Sequence, residues 1–295
     1  MKTYFDCIPC FVRQTLDSVR LATGDTKIQE QILRRVLDLA GKMDFNSSPP
    51  AMAQKIHREI KQLVKTNDPY RQKKHHFNEF ALRLFPKFRD LASHSKDPFE
   101  MAVRLAIAGN IIDLGVKSSL ELPEAEAVIG KTLTDSFDTS DMAAFKDGVS
   151  NAKDILYLAD NAGEIVFDKF LIEQIGPEKI TLVVKGAPVI NDATIDDAKM
   201  AGLADLVKII DNGDDAPGTI LESCSEEFKS RFEKADLVIA KGQGNFESLS
   251  DVDKNIFFIL RAKCPVIAEH LACPIGTLVL RAGKSKVDNL INERR

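Results

Sequence analysis

Three short apolar runs in the second half of the chain each stop abruptly on polar side chains, and this repetition restricts the fold more than any other feature. Ile155-Leu156-Tyr157-Leu158-Ala159 ends on Asp160-Asn161-Ala162-Gly163-Glu164. Ile180-Thr181-Leu182-Val183-Val184 ends on Lys185-Gly186, with Asn191-Asp192 shortly after. Leu237-Val238-Ile239-Ala240 ends on Lys241-Gly242-Gln243-Gly244-Asn245. Short buried runs separated by helix-length stretches read as strands of a mostly parallel sheet. Ligands of open α/β sheets bind just beyond the carboxyl ends of the strands. The acids, amides and lysines of the three runs should therefore meet at one crevice.

The first half has a different grammar. Ile28, Ile32, Val36 and Leu39 recur at helical spacing, as do Ile56, Ile60, Leu63 and Val64, and Phe77, Phe80, Ala81, Leu84 and Phe85. Asp97-Pro98-Phe99-Glu100 opens a further helix running to Gly109-Asn110. Beyond residue 151 the spacing predicts helices over 164–175, over 191–201 with Asn191 or Asp192 as cap, and over 219–233. Val207-Lys208-Ile209-Ile210 reads as a further strand, and Ile256–Leu260 and Pro265–Ala268 as buried segments. The expected class is α/β, with a helical N-terminal region (1–150) on a Rossmann-like α/β/α layer (151–295) whose sheet is mostly parallel.

Composition removes several classes of partner. A net charge of −4 over 295 residues gives no electrostatic reason to expect nucleic acid. Lys73-Lys74-His75-His76 and Arg294-Arg295 are short enough to read as solvated surface. No apolar stretch approaches the roughly 20 residues that span a bilayer, and the start, Met1-Lys2-Thr3-Tyr4-Phe5-Asp6, lacks a signal-like apolar region. A cytoplasmic protein without a membrane or nucleic-acid partner is expected. Five cysteines do not suggest a disulfide framework. Cys7-Ile8-Pro9-Cys10 has metal or redox spacing, but Cys264 and Cys273, near His270, do not form a second tight pair. Reduced, partly buried thiols are expected.

The polar punctuation carries the chemistry. Asp160 and Asn161 offer a carboxylate and an amide oxygen, hard ligands suited to Mg²⁺ or Mn²⁺. Ala162-Gly163 permits a tight strand-to-helix turn that brings backbone N–H groups toward an anion. A helix cap alone explains one polar residue, but not Asp160, Asn161 and Glu164 together. Asn191-Asp192 stands beyond an adjacent strand, where Asp192 can give the same ion a second carboxylate. Lys241 suits a phosphate, and the glycines after it allow close backbone approach.

Competing templates fail on particular residues. Gly242-Gln243-Gly244 lacks the third glycine of a dinucleotide fingerprint, since Glu247 holds that place. A covalent aspartyl phosphatase needs Asp-x-Asp, and position 162 is Ala162. Gly283-Lys284-Ser285 resembles the tail of a Walker loop, but its first glycine would be Leu278. Gly-x-Ser-x-Gly is absent. Attack by a metal-activated water is the simplest phosphoryl chemistry left.

At these residues the chain resembles the metal-dependent damage-control phosphatase family, formerly domain of unknown function 89. It is most similar to the prokaryotic branch with an N-terminal CxxC. The shared motifs are Cys7-Ile8-Pro9-Cys10 with Arg13-Gln14, Ala108-Gly109-Asn110-Ile111-Ile112-Asp113, Asp160–Glu164, Asn191-Asp192 and Lys241–Asn245. The resemblance implies a phosphatase using Mn, Co, Ni or Mg on small phosphometabolites such as sugar phosphates or damaged cofactor phosphates. By motif match, Asp160, Asn161 and Asp192 would hold the metal and Lys241 the phosphate. Asn245 and Glu164 would line the substrate site, with Gly163 N–H groups on the phosphoryl oxygens. Asp192 or Glu164 would take the proton from water. Asn110 and Asp113 would form pocket wall. An S-adenosylmethionine-dependent carboxyl methyltransferase ranks second, because Gly-x-Gly-x-Gly is missing after the first strand. A non-catalytic phosphometabolite-binding protein ranks third, because acids without a metal repel phosphate.

Overall fold

A computed structural model describes residues 1–111 and 122–283; Asp113, Lys284-Ser285 and Arg294-Arg295 lie outside the described residues. The strands are β1 (Phe137–Asp138), β2 (Ile155–Leu158), β3 (Ile180–Val184), β4 (Lys208–Asp211), β5 (Leu237–Lys241), β6 (Ile256–Arg261) and β7 (Leu278–Ala282). They form one sheet in the order β1-β7-β6-β5-β2-β3-β4. Neighbours from β6 through β4 are parallel, β7 runs antiparallel to β6, and β1 is parallel to β7. The chain order therefore reverses between β2 and β5, which is where an open α/β sheet opens its crevice.

Every residue of β2, β3 and β5 is buried, because helices cover both faces. The two-residue strand period sorts their side chains into two cores. Ile155, Tyr157, Leu237 and Ile239 enter one; Leu156, Leu158, Val238 and Ala240 enter the other.

The N-terminal helices are α1 (Cys7–Ala22), α2 (Thr26–Gly41), α3 (Pro49–Val64), α4 (Arg71–Ser93), α5 (Pro98–Ala108), α6 (Leu122–Thr132) and α7 (Met142–Asn151). Those of the sheet layers are α8 (Glu164–Ile175), α9 (Ile195–Met200), α10 (Glu226–Lys234), α11 (Gly242–Leu249) and α12 (Pro265–His270). Asp25 caps α2 by accepting from the Lys27 and Ile28 N–H groups, and Asp97 caps α5 through Glu100 N–H. Helices α1, α2 and α3 share a small core of Phe11, Val19, Ile32, Val36, Met52, Ile56 and Ile60. Gln54, Arg58 and Lys61 of α3 then fasten to Asp214 and Asp215, in the loop beyond β4.

Several expectations are corrected. Helix α8, which the sequence suggests is amphipathic, is buried nearly all round, Glu164 and Asp168 included, because α4 and α5 cover the side that the sheet does not. Phe85 of α4 stacks on Phe170 at 4.4 Å between ring centroids, and Phe88 lies 5.8 Å from Phe167. The helix expected over 191–201 begins only at Ile195, since Asn191–Ala193 pair with the exit of β2. Its cap is Thr194, in a reciprocal capping box with Asp197. The helix expected over 219–233 spans Glu226–Lys234, capped by Ser225, and Pro265–His270 is helical. β1, within the half read as helical, joins the sheet edge. Lys74 is not surface: it is buried and pairs with Asp68 at 3.1 Å and Asp197 at 3.2 Å. Among the described residues, no helix is long and apolar enough to cross a membrane.

The aromatic seam between α4 and α8 holds the helical layer on the sheet. Phe167→Ala is expected to cost about 3–5 kcal/mol of unfolding free energy. Leu37→Ala, at a 54% exposed position, should cost less than about 1 kcal/mol. Denaturant unfolding of both variants measures the difference.

Candidate active site

Two loops that leave neighbouring parallel strands are zipped together at the crevice. Asn161 and Asp192 form an isolated antiparallel bridge. Ala162 N–H donates to Asn191 O at 2.8 Å, and Ala193 N–H donates to Asp160 O at 2.8 Å. This pairing brings Asp160, Asn161 and Asp192 onto the wall of one cavity of about 390 Å³. Asp160 lies against the first residue of α11. A β-carbon added at Gly242, whose φ is +80°, would sit 2.0 Å from Asp160 Oδ2. Only glycine admits both that backbone angle and that contact.

The carboxylates are joined by amide protons. Asn161 Nδ2 donates to Asp160 Oδ2 at 2.7 Å and to Glu164 Oε2 at 3.1 Å. Asn110, in the turn after α5, donates to the same two oxygens at 3.2 and 2.5 Å. Gly109 lets that turn approach α8, since a β-carbon there would meet Glu164 Cα at 3.1 Å.

Behind this wall lies a buried ionic cluster. Lys241 has no exposed surface. Its Nζ donates to Glu164 Oε1 at 2.7 Å, Asp168 Oδ1 at 2.6 Å and Ala106 O at 2.8 Å, and Tyr157 OH also donates to Asp168 Oδ1 at 2.8 Å. Burial works against the lysine charge, but Asp168 and Glu164 more than offset it and its pKa is raised. Burial pushes Asp168 up to about 6 in spite of the lysine.

Four residues expected on the substrate side therefore sit elsewhere. Glu164 commits both oxygens to Lys241, Asn110 and Asn161 and does not line the cavity. Lys241 spends its ammonium on Glu164 and Asp168 and does not line this cavity. Asn245 is buried; its Nδ2 donates to Lys241 O at 2.8 Å and its Oδ1 accepts from Thr219 Oγ1 at 2.8 Å. Gly163 N–H donates to Asn78 Oδ1 at 2.7 Å, so it is not directed at an anion. Asn78 in turn donates to Asp197 Oδ1 at 2.9 Å; no motif marks it in the sequence.

The cations that do reach the cavity are Arg13, Lys73 and Lys263. Arg13 belongs to the motif that follows the CxxC, whereas Lys73 reads as plain surface. Cys10 also lines the cavity. Burial raises the pKa of its thiol, with Glu247 and Cys264 adding to the shift; Cys7 is raised in the same way. Glu247 accepts from Gln243 Nε2 at 2.9 Å, and burial pushes its carboxyl up to about 7.

The donor set fits a hard divalent cation. Burial, then Glu164 and Asp192, hold the Asp160 carboxyl well above its ordinary range. Burial likewise pushes Asp192 up to about 6, although Lys185 stands 3.5 Å away. Among the described residues, Asp160, Glu164, Asp168 and Asp192 pair directly with two buried ammonium groups, those of Lys185 and Lys241; buried Lys74, also felt at Asp192, is shared between Asp68 and Asp197. Four negative charges against two positive leave the charge deficit that one divalent ion would fill. Among the described residues no three Asp, Glu, His or Cys side chains cluster as a metal site. The fit therefore rests on two carboxylates and an amide.

A family profile described as the damage-control phosphatase ARMT1-like domain matches residues 3–279. The chain belongs to that family. A curated damage-control phosphatase of Pyrococcus horikoshii is 38% identical over 97% of this chain and 100% of its own length. A protein of Methanocaldococcus jannaschii, described as uncharacterized, is 39% identical over 93% of each chain. A crystal structure of a DUF89 family protein from Pyrococcus horikoshii superposes with a TM-score of 0.87 at 36% identity, covering 96% of this chain and 100% of that one. Phosphatase chemistry is thus the activity class that the family supports for this chain.

Two outcomes are expected here. Gly242→Ala should displace Asp160 and lower turnover on the order of 100-fold, measured beside a circular dichroism check of the fold. Glu247 has a folded pKa of about 7 against an ordinary 4.5, so the folded state holds its proton more tightly. The stabilisation this brings is complete below pH 4.5 and is lost as pH rises through 7. Glu247→Gln should therefore gain stability over wild type at pH 8, by about 2–3 kcal/mol, with little gain at pH 4.5. Denaturant unfolding at the two pH values reads the change.

Proposed function

We propose that this chain is a divalent-cation-dependent phosphatase of small phosphorylated metabolites, including damaged ones, using Mn, Co, Ni or Mg. The observation that carries the reading is the meeting of Asp160, Asn161 and Asp192 on one cavity wall, with both carboxyl groups held above their ordinary range. In the proposal these three side chains hold the cation. Asn161 now points its Nδ2 at carboxylates, and ligation would use the oxygen of the same amide. A bound divalent ion offsets phosphoryl charge and lowers the pKa of a water.

The chain's own groups do the rest. Lys263 is the open cation whose charge is felt at Asp160, and it is assigned to a phosphoryl oxygen. Asp192, which lines the cavity, is assigned to accept the proton from the attacking water, with Glu164 supporting the wall from behind through the shared amides. Lys241, anchored by Asp168, fixes Glu164, and Asn110 and Asn161 fix its second oxygen. Asn245 holds the β5 exit against the loop that carries Thr219. A stiff carboxylate frame of this kind keeps its geometry through the reaction.

Hydrolysis of an aryl phosphate by chelator-treated protein, with each divalent metal added back in turn, tests the reading. Wild type should regain activity with at least one metal. Asp160→Asn and Asp192→Asn should each remain lower by on the order of 100-fold or more. Unchanged turnover in either variant would reject the assignment.

A further inference from the structure

The cations of this protein near the crevice fall into two populations. Lys61, Lys74, Lys185 and Lys241 are all committed to carboxylates. Arg13 and Lys73 are not: each lines the cavity and neither forms an ion pair among the described residues. They come from different helices, α1 and α4, of the layer that roofs the crevice. Asp17, one turn along α1 from Arg13, is the acid on the same wall, so the wall keeps one positive charge in excess. Lys263, from the loop after β6, is the open cation felt at Asp160. Free cations on one wall of a cleft, in a chain of net charge −4, concentrate field where an anion can use it. Phosphoryl transfer at the floor leaves that outer field unspent.

The geometry points to a second anionic subsite: Arg13 and Lys73 bind a carboxylate or second phosphate on the substrate, remote from the phosphoryl group that is removed. This rests on the phosphatase reading and narrows its substrate class to phosphomonoesters carrying another anion. Arg13 and Lys73 are the specificity-determining residues, and Tyr70 and Gln14, on the same wall, add neutral polar contacts.

The test uses matched pairs that differ in the distal group: glycerol 3-phosphate with 3-phosphoglycerate, and fructose 6-phosphate with fructose 1,6-bisphosphate. Calorimetric affinity is measured on the full chain with calcium supplied in place of a metal that supports turnover, so that binding is read with the carboxylates neutralised and without hydrolysis. In at least one pair the two-anion ligand should bind fivefold or more tightly. Arg13→Gln and Lys73→Gln should each shrink that ratio, and the double variant should bring it within twofold of one. Circular dichroism and melting should be unchanged, since both side chains are exposed. Equal affinities within both wild-type pairs would overturn the proposal, as would a preference that survives in the double variant. Failure of the phosphatase reading looks different: with every divalent metal supplied, wild type would hydrolyse none of the four compounds.

Discussion

Everything at this site depends on a crowding of carboxyl groups that the fold enforces. The loops beyond β2 and β3 are zipped together through the backbone of Asp160–Ala162 and Asn191–Ala193, and their acids have no freedom to separate. Helix α8 adds Glu164 and Asp168 from below. Lys241 is drawn fully into that cluster, and Lys185 stands beside Asp192. Gathering like charges in a buried setting is costly unless cations or protons balance them. Here the balance is struck partly by lysines, partly by amide protons from Asn110 and Asn161, and partly by raised carboxyl pKa values. A divalent ion would relieve all three expedients at once.

The same interactions explain why the helical layer cannot be separated from the chemistry. Asn110 reaches Asp160 and Glu164 only because Gly109 lets the end of α5 touch α8. Asn78 of α4 takes the Gly163 N–H at the turn into α8. The aromatic seam of Phe85, Phe88, Phe167 and Phe170 holds these helices at that spacing. Packing in the roof is therefore converted into position at the crevice.

Much of this was legible in the residues. The three apolar runs gave the right strands, and their polar ends met where a parallel sheet reverses its order. What escaped was side-chain direction. The position of Lys241 at a strand end suggests that it reaches into the crevice, yet the strand period puts it on the face of Leu237 and Ile239, toward α5 and α8. Counting by twos from Ile239 would have shown this. Lys74 shares a helical face with Phe77, Asn78 and Ala81, and this predicts its burial better than the neighbouring charges do. Thr194 and Asp197 carry a capping-box spacing, a stronger start signal than Asn191 or Asp192 alone. The pairing of Asn191–Ala193 with the β2 exit was not accessible, because a bridge between loops has no local pattern. Asn78 likewise owes its role to the turn it happens to face.

The roof also divides cations by task. Those paired with acids hold the loops together, while Arg13, Lys73 and Lys263 remain turned toward the cavity. The central claim, that the surplus of negative charge at Asp160 and Asp192 is a cation site, is tested most directly by anomalous diffraction from crystals soaked in manganese. The expected result is one strong peak within bonding distance of both carboxylates and the Asn161 amide. A protein that remains unlabelled there, or a peak that persists unchanged in Asp160→Asn crystals, would contradict it.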